Sequence, residues 1–216
     1  GGGAARLLCV ALPAAFLGVF FVYPVISIIG LGLGGDGLSR LLALPGSGTF
    51  RGVAWFTLWQ AAVSTLLTVA VAMPGAHLVA RRRFRARRLV RALTTVPFVL
   101  PTVVVGGAFM AVFDRFGLDG GPVRLTHTVW AVLLAHVFFN LAVVLRTVGA
   151  FWEGLDPGPE EQARVLGASP WQTFRMVTLP RLWPAIAAAA SIVFLFCFTS
   201  FGVILILGGP TVATVE

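Results

Sequence analysis

Lysine is missing from this chain: all 16 basic residues are arginine. That absence removes every nucleotide-binding loop of the G-x-x-x-x-G-K-[ST] kind, whose lysine grasps phosphate. No G-x-S-x-G and no H-E-x-x-H occurs either, so neither a nucleophile elbow nor a zinc-protease helix is present. Cysteine is scarce. Cys9 and Cys197 each sit inside an apolar run and read as small buried apolar residues, not as a disulfide or a metal site. His77, His127 and His136 fall at different depths with no paired carboxylate, which leaves no metal-ligand set. Charge is scarce as well. Only 11% of residues are charged and 58% are hydrophobic, whereas a soluble domain is about a quarter charged. The excess belongs to a chain whose solvent is largely lipid.

What is present is a series of long apolar runs. Five of them reach the roughly 20 residues that a helix needs to cross a bilayer: residues 7–33, 53–80, 93–113, 128–151 and 183–207. The first is too long for the apolar core of a signal peptide and reads as a retained membrane helix. Backbone groups in lipid must be satisfied within the segment, so helices are expected; β-strands of a barrel would be shorter and would alternate. The fold class is therefore all-α, a polytopic transmembrane bundle with five visible spans.

Arginine placement sets the orientation. With the N-terminus in the cytoplasm, the inner segments hold Arg6, the cluster Arg81, Arg82, Arg83, Arg85, Arg87, Arg88 and Arg91, and Arg164, Arg175 and Arg181. The outer loops hold only Arg40, Arg51, Arg115 and Arg124. A basic cluster with Phe84 inside it has a nucleic-acid reading. Flanked by two spans, it reads instead as a topology anchor touching anionic lipid, and no nucleic-acid partner is expected. The stretch 208–216 reads as an outer loop, so a sixth helix is expected beyond Glu216.

The most informative segment is polar and lies between the fourth and fifth runs, within 153–181. Asp156-Pro157-Gly158-Pro159 is a turn and helix-start signal. Glu160 and Glu161 then occupy a first helical turn, where carboxylates suit the dipole. Gly167 permits a sharp bend. Ser169 is placed to cap a second helix with Pro170 at its first position. Trp171, Phe174 and Val177 form one apolar stripe, and Leu179-Pro180 is expected to end that helix before the next span.

The spacing E-x-A-x-x-x-G, nine residues, V-x-L-P resembles the EAA motif of ATP-binding-cassette importer permeases. Glu161, Ala163, Gly167, Leu179 and Pro180 match it, while Gln162 and Val177 depart mildly. In that family the segment forms the coupling helix that docks on the ATPase. The resemblance implies that docking role for Glu161, Ala163 and Gly167. It is supported by Val96-Pro97-Phe98-Val99-Leu100-Pro101, whose two prolines kink a membrane helix, by Gly106-Gly107, which allow close helix approach, and by the tail from Phe198 to Pro210. The paired prolines resemble the thiamine, iron(III), sulfate and molybdate branch of type I, MetI-like importers, and the tail is similar to the thiamine/iron(III) permeases.

The resemblance implies a set of partners: an ATPase dimer, an extracytoplasmic substrate-binding protein, a second permease half and the lipid bilayer. It implies no cofactor. Iron(III) or thiamine is the expected substrate, with sulfate, molybdate and polyamine as alternatives. Pro97, Pro101, Asn140, Ser200 and Gly202 are the expected pathway residues. His136 and Asn140 are four apart, share one face of the fourth run and are placed to bond a neighbouring helix; Arg146, near its inner end, is placed to snorkel. The rival reading is a carrier or channel driven by an ion gradient. It calls for acidic residues at mid-membrane, and none of the five runs carries one.

Overall fold

The computed structural model describes residues 2–35, 37–82, 85–120 and 124–209, and within them all side chains except those at 2–9, 40, 41, 88, 91, 93, 95, 98 and 99. Among the described residues there is helix and no strand. The chain divides into two units, Gly1–Gly52 and Val53–Glu216.

The first unit is a rod. Helix α1 (Gly2–Leu17) passes through a single π turn, Gly18–Val22, into α2 (Tyr23–Leu33). The π turn has a local cause. Pro24 follows it by two residues, and the ring of a helical proline collides with the carbonyl four residues back. Widening the turn to an i→i+5 bond, seen as the Tyr23 N–H donating to the Gly18 carbonyl, relieves that collision. No described side chain from Val10 to Leu33 is buried within the unit; Phe20, Ile28 and Leu31 are mostly exposed. An apolar rod with no covered face needs lipid or another helix around it. A short helix α3 (Gly37–Ala43) follows. Ser47 then caps α4 (Gly48–Arg81), its Oγ accepting from the Phe50 N–H at 3.2 Å.

In the second unit, α4, α7 (Val129–Glu153) and α10 (Leu179–Phe198) make the core. Ala61, Ala72 and Ala76 of α4 meet Val144, Leu145 and Val148 of α7 and Ala189, Val193 and Cys197 of α10. Alanines at the contacts let the helices approach closely, which is how helices associate where lipid removes the hydrophobic drive. A second cluster joins Phe113 to Ala131, Val132 and Ala135 of α7 and to Val203, Ile204 and Leu207 near the C-terminal end of the described chain.

Two expectations are corrected here. The run 93–113 is not one continuous helix. It is two helices, α5 (Arg87–Val99) and α6 (Thr102–Arg115), separated by extended backbone at Leu100 (ψ 141°) and Pro101 (ψ 135°). Pro101 removes a donor and biases Leu100 away from helix, so the break falls where the second proline stands. Second, Leu179-Pro180 does not end a helix. From α9 (Pro170–Thr173) the chain runs through a π turn, Phe174–Thr178, straight into α10. Pro180 follows that turn by two residues, as Pro24 follows the first. The helix thus continues through the proline, and a single rod of 29 residues, Pro170–Phe198, is long and apolar enough to cross a membrane. The other such helices are Val10–Leu33, Gly48–Arg81 and Val129–Glu153. The last run breaks at Thr199–Ser200 and resumes as a short helix, α11 (Phe201–Val203), with a π turn from Ile204 to Gly208.

Candidate functional site

Two regions gather the functional candidates. The first is the polar segment. Its helix α8 (Gly158–Val165) starts where the Asp156 carboxylate accepts from the Gly158 N–H at 3.0 Å. It ends in a paired closure. The Ala168 N–H donates to the Ala163 carbonyl and the Gly167 N–H to the Arg164 carbonyl, both at 3.0 Å. This is a Schellman end, which requires a left-handed residue at its turn. Gly167 supplies it with φ +90°. The spacing of Ala163 and Gly167 is thus that of the two ends of one helix stop. Ser169 then opens α9 with a capping box: its Oγ accepts from the Gln172 N–H, and its own N–H donates to the Gln172 side chain at 2.8 Å.

This segment is fastened to the bundle. Arg81, at the end of α4, bonds the Glu160 carboxylate at 2.9 Å and the Leu155 carbonyl at 3.3 Å. Arg87 bonds Glu153 at 2.8 Å and the Val79 carbonyl at 2.7 Å. Rings continue the tie: His77 and Trp152 lie 5.0 Å apart, Trp152 and Phe174 6.0 Å, Phe174 and Trp171 5.7 Å. What remains free is the tip. Val165 and Leu166 are 88% and 87% exposed.

Of the residues matching the EAA spacing, Glu161 is exposed on α8, Ala163 is half-buried, and Gly167 is exposed at the turn. Leu179 and Pro180 lie elsewhere, inside the long rod, with Leu179 packed on the core. The residues that stand barest on the segment are therefore Val165 and Leu166, not the matched Glu161, Ala163 and Gly167. Their signal was present in the sequence: two adjacent apolar residues in front of a helix-ending glycine.

The second region lies where the two helix breaks meet. Gly202 sits so close to Thr102 that a Cβ there would fall 2.9 Å from the threonine Oγ1; at Gly106 one would fall 2.7 Å from Ile206 Cγ2. A cavity of about 150 Å³ opens beside this contact, lined by Leu100, Thr102, His136, Asn140, Ser200 and other side chains. The structure therefore brings Asn140 and Ser200 together. Gly202 stands behind Thr102, Pro101 is exposed at the break, and Pro97 is buried within α5, away from the lining.

Polar bonds hold the inner wall. Ser64 Oγ and His136 Nδ1 are hydrogen-bonded at 2.9 Å, Gln60 donates to the Cys197 carbonyl at 2.9 Å, and Asn140 donates to the His136 carbonyl at 2.9 Å and lies 3.6 Å from Cys197 Sγ. His136 and Asn140 are thus both engaged, across α4 and α10. His136 Nε2 and Gln60 Oε1 stay buried with no partner. The stripe Gln60, Ser64, Thr68 recurs every four residues inside an apolar run; that polar period was a signal the sequence reading did not use. Arg146 is exposed on α7.

The second unit is thus a helical bundle with broken helices around a mostly apolar cavity that holds Thr102, His136, Asn140 and Ser200, and it carries an anchored polar segment with a bare apolar tip. The family described as binding-protein-dependent transport system inner membrane component matches residues 72–215. This chain belongs to that family. Inner-membrane transport components of this kind include the thiamine transport system permease protein ThiP of Salmonella typhimurium. It is 34% identical over 174 residues, 76% of this chain and 32% of that protein. The ThiP of Brucella abortus is 33% identical over the same length. The sulfate transport system permease protein CysT of Escherichia coli is 34% identical over 158 residues, 71% of this chain and 57% of that protein. The chain thus spans about a third of the thiamine permeases and just over half of the sulfate permease. A bacterial ABC transporter involved in the import of the acidic polysaccharide alginate shares the fold, with TM-score 0.66 at 20% identity over 96% of this chain and 78% of that one. A bacterial alginate ABC transporter in complex with alginate pentasaccharide-bound periplasmic protein gives 0.64 at 21% identity.

Proposed function

We propose that this chain is a permease subunit of an ATP-binding-cassette importer, moving a substrate handed over by an extracytoplasmic binding protein. The observation that carries the reading is the polar segment: a helix whose base is pinned to α4 by Arg81–Glu160 and whose apolar tip is bare. A short helix with exposed Val165 and Leu166 suits the groove of a soluble partner, and the resemblance makes that partner one subunit of an ATPase dimer. Because α9 continues through the π turn into α10, a push on the tip passes along one rod into the bundle. The rod's far end is the break at Thr199–Ser200, beside the cavity that Asn140 and Ser200 line. ATP-driven movement of the ATPases would thereby shift the wall that Asn140, Ser200 and Thr102 share with a facing permease half. This is a two-state switch biased at a distance.

Thiamine is the substrate we favour, because several similar permeases carry it by name; sulfate is the alternative that the CysT likeness supports. Iron(III) has no such support among these relatives. The test is affinity capture of the full-length protein from membranes, comparing wild type with Leu166→Asp. An ATPase captured by the wild type and lost by the variant supports the reading. An ATPase captured equally by both refutes the docking role of Leu166, and an ATPase captured by neither moves a gradient-driven carrier to first place.

A further inference from the structure

A groove of about 720 Å³ runs along one face of α4 toward the polar segment. Ala70, Met73, Pro74 and His77 form its floor, ending at Arg82. At 1.5 Å per residue the stretch from Ala70 to Arg82 is roughly 18 Å long. Trp171 and Phe174, stacked at 5.7 Å, line it from the rod of α9 and its π turn.

The two ends differ in chemistry. One end is apolar. The other carries Arg82 and Arg164, and neither is ion-paired among the described residues. The carboxylate on the groove, Glu160, is already neutralised by Arg81. Part of the wall is Trp152, whose indole N–H is buried without an acceptor. A second cavity of about 330 Å³ shares Arg82, Arg164 and Glu160 and adds Arg81 and Glu161, so arginines outnumber carboxylates on it by three to two. A soluble anion would use only the charged end. An amphiphile would use both ends, and a carbonyl along it could take the Trp152 donor.

We propose that this groove holds one anionic phospholipid of the surrounding bilayer, its phosphate on Arg82 and Arg164 and an acyl chain along Met73, Trp171 and Phe174. Basic pockets at the ends of membrane helices suit such headgroups. Arg82 follows α4 and Arg164 lies on α8, so the lipid bridges the same two elements as the Arg81–Glu160 pair and stiffens the base of the polar segment.

The test uses the full-length protein in detergent, titrated with phosphatidylglycerol, phosphatidylcholine or inorganic phosphate, with bound lipid read by native mass spectrometry and stabilisation by thermal shift. Phosphatidylglycerol should be retained in preference to phosphatidylcholine. Arg82→Gln with Arg164→Gln should weaken that retention by about fivefold per arginine, whereas Arg175→Gln, exposed on the same segment outside the groove, should leave it unchanged. Trp171→Ala keeps the test decisive should the double variant not fold: it strips the apolar wall at an exposed position and should lower phosphatidylglycerol retention. Equal retention of the two lipids, or undiminished retention in the double variant or in Trp171→Ala, overturns the proposal. A thermal shift of equal size from inorganic phosphate also overturns it, in favour of a plain anion site.

Discussion

The Arg81 guanidinium lies 2.9 Å from the Glu160 carboxylate, with both side chains mostly buried at 19% and 13% exposure, and through this contact the end of the longest membrane helix holds the first helix of the polar segment. A partly desolvated pair of this kind matters chiefly because breaking it strands a charge. Arg81 also bonds the Leu155 carbonyl, so one side chain fixes both the loop and the helix behind it.

Removing one partner should therefore destabilise the segment. Glu160→Gln is expected to cost about 1–3 kcal/mol, the range for a buried hydrogen bond to a charged group. Exchanging the two residues, Arg81→Glu with Glu160→Arg, should recover part of that loss. Thermal unfolding in detergent of the wild type, Arg81→Glu, Glu160→Arg and the exchange closes the cycle. Equal stability of Glu160→Gln and wild type would show that the ion pair holds nothing.

Two substitutions at the tip should separate shape from docking. Gly167→Ala forces a Cβ into φ +90°, where no neighbour crowds it but the backbone itself is strained. A cost of roughly 1–2 kcal/mol is expected in the local helix stop. Leu166→Asp lies at a residue 87% exposed and should leave stability within about 0.5 kcal/mol. Both should reduce ATPase capture, but only Gly167→Ala should increase amide hydrogen exchange in α8. Loss of stability in Leu166→Asp would mean the tip packs on the bundle after all.

At the meeting of the helix breaks, Gly202→Ala should clash with Thr102 Oγ1. Overpacking of this type costs about 1–3 kcal/mol. Thr102→Ala removes the obstructing oxygen, and the double variant should regain most of the stability. A double variant no better than Gly202→Ala would mean that α6 and α11 are not held by this approach.

Ser64→Ala should leave His136 Nδ1 without its hydrogen bond. With Nε2 already unpartnered, the ring would have no bond at either nitrogen. A loss of about 1–3 kcal/mol is expected on thermal unfolding, larger than for Ser191→Ala, whose hydroxyl bonds only its own helix on an exposed face. Equal effects would remove the case for a specified polar wall.

Accessibility should follow the cavity. Cys197 is fully buried and is expected to resist a water-soluble thiol reagent, whereas Ser200→Cys, on the cavity wall, should react. Substrate-loaded binding protein with ATP should change the Ser200→Cys rate in the assembled importer. A rate indifferent to both would place the pathway elsewhere.

The membrane character and the helical class were legible because both rest on composition and run length, which no folding step alters. Apolar runs without charge have nowhere to go but lipid, and lipid leaves the backbone only the helix. The local stops were legible too. Ser169 capping α9 and Gly167 ending α8 depend on residues within five positions of each other, and near neighbours meet whatever the rest of the chain does. Leu179-Pro180 misled for an equally local reason: proline breaks a regular α-turn, but a π turn two residues earlier removes the collision, and a sequence pattern does not show which response the chain takes.

The pairings across sequence were decided by the tertiary structure. Arg81 stands 79 positions from Glu160, and Ser64 stands 72 from His136. Each is one polar residue among several that could serve, so only the packing of α4 on α7 selects the partner. The same packing turned a run of arginines read as a topology anchor into two structural ties, Arg81 and Arg87, and left Arg82 facing a groove. By itself the sequence determined that this chain enters the membrane as helices and carries a capped, glycine-stopped polar segment, because hydropathy and turn chemistry are properties of neighbouring residues. Which residues of that segment stand bare, and which side chains line the cavity at the far end of the rod, followed only from the fold, because helices far apart in sequence had first to be laid side by side.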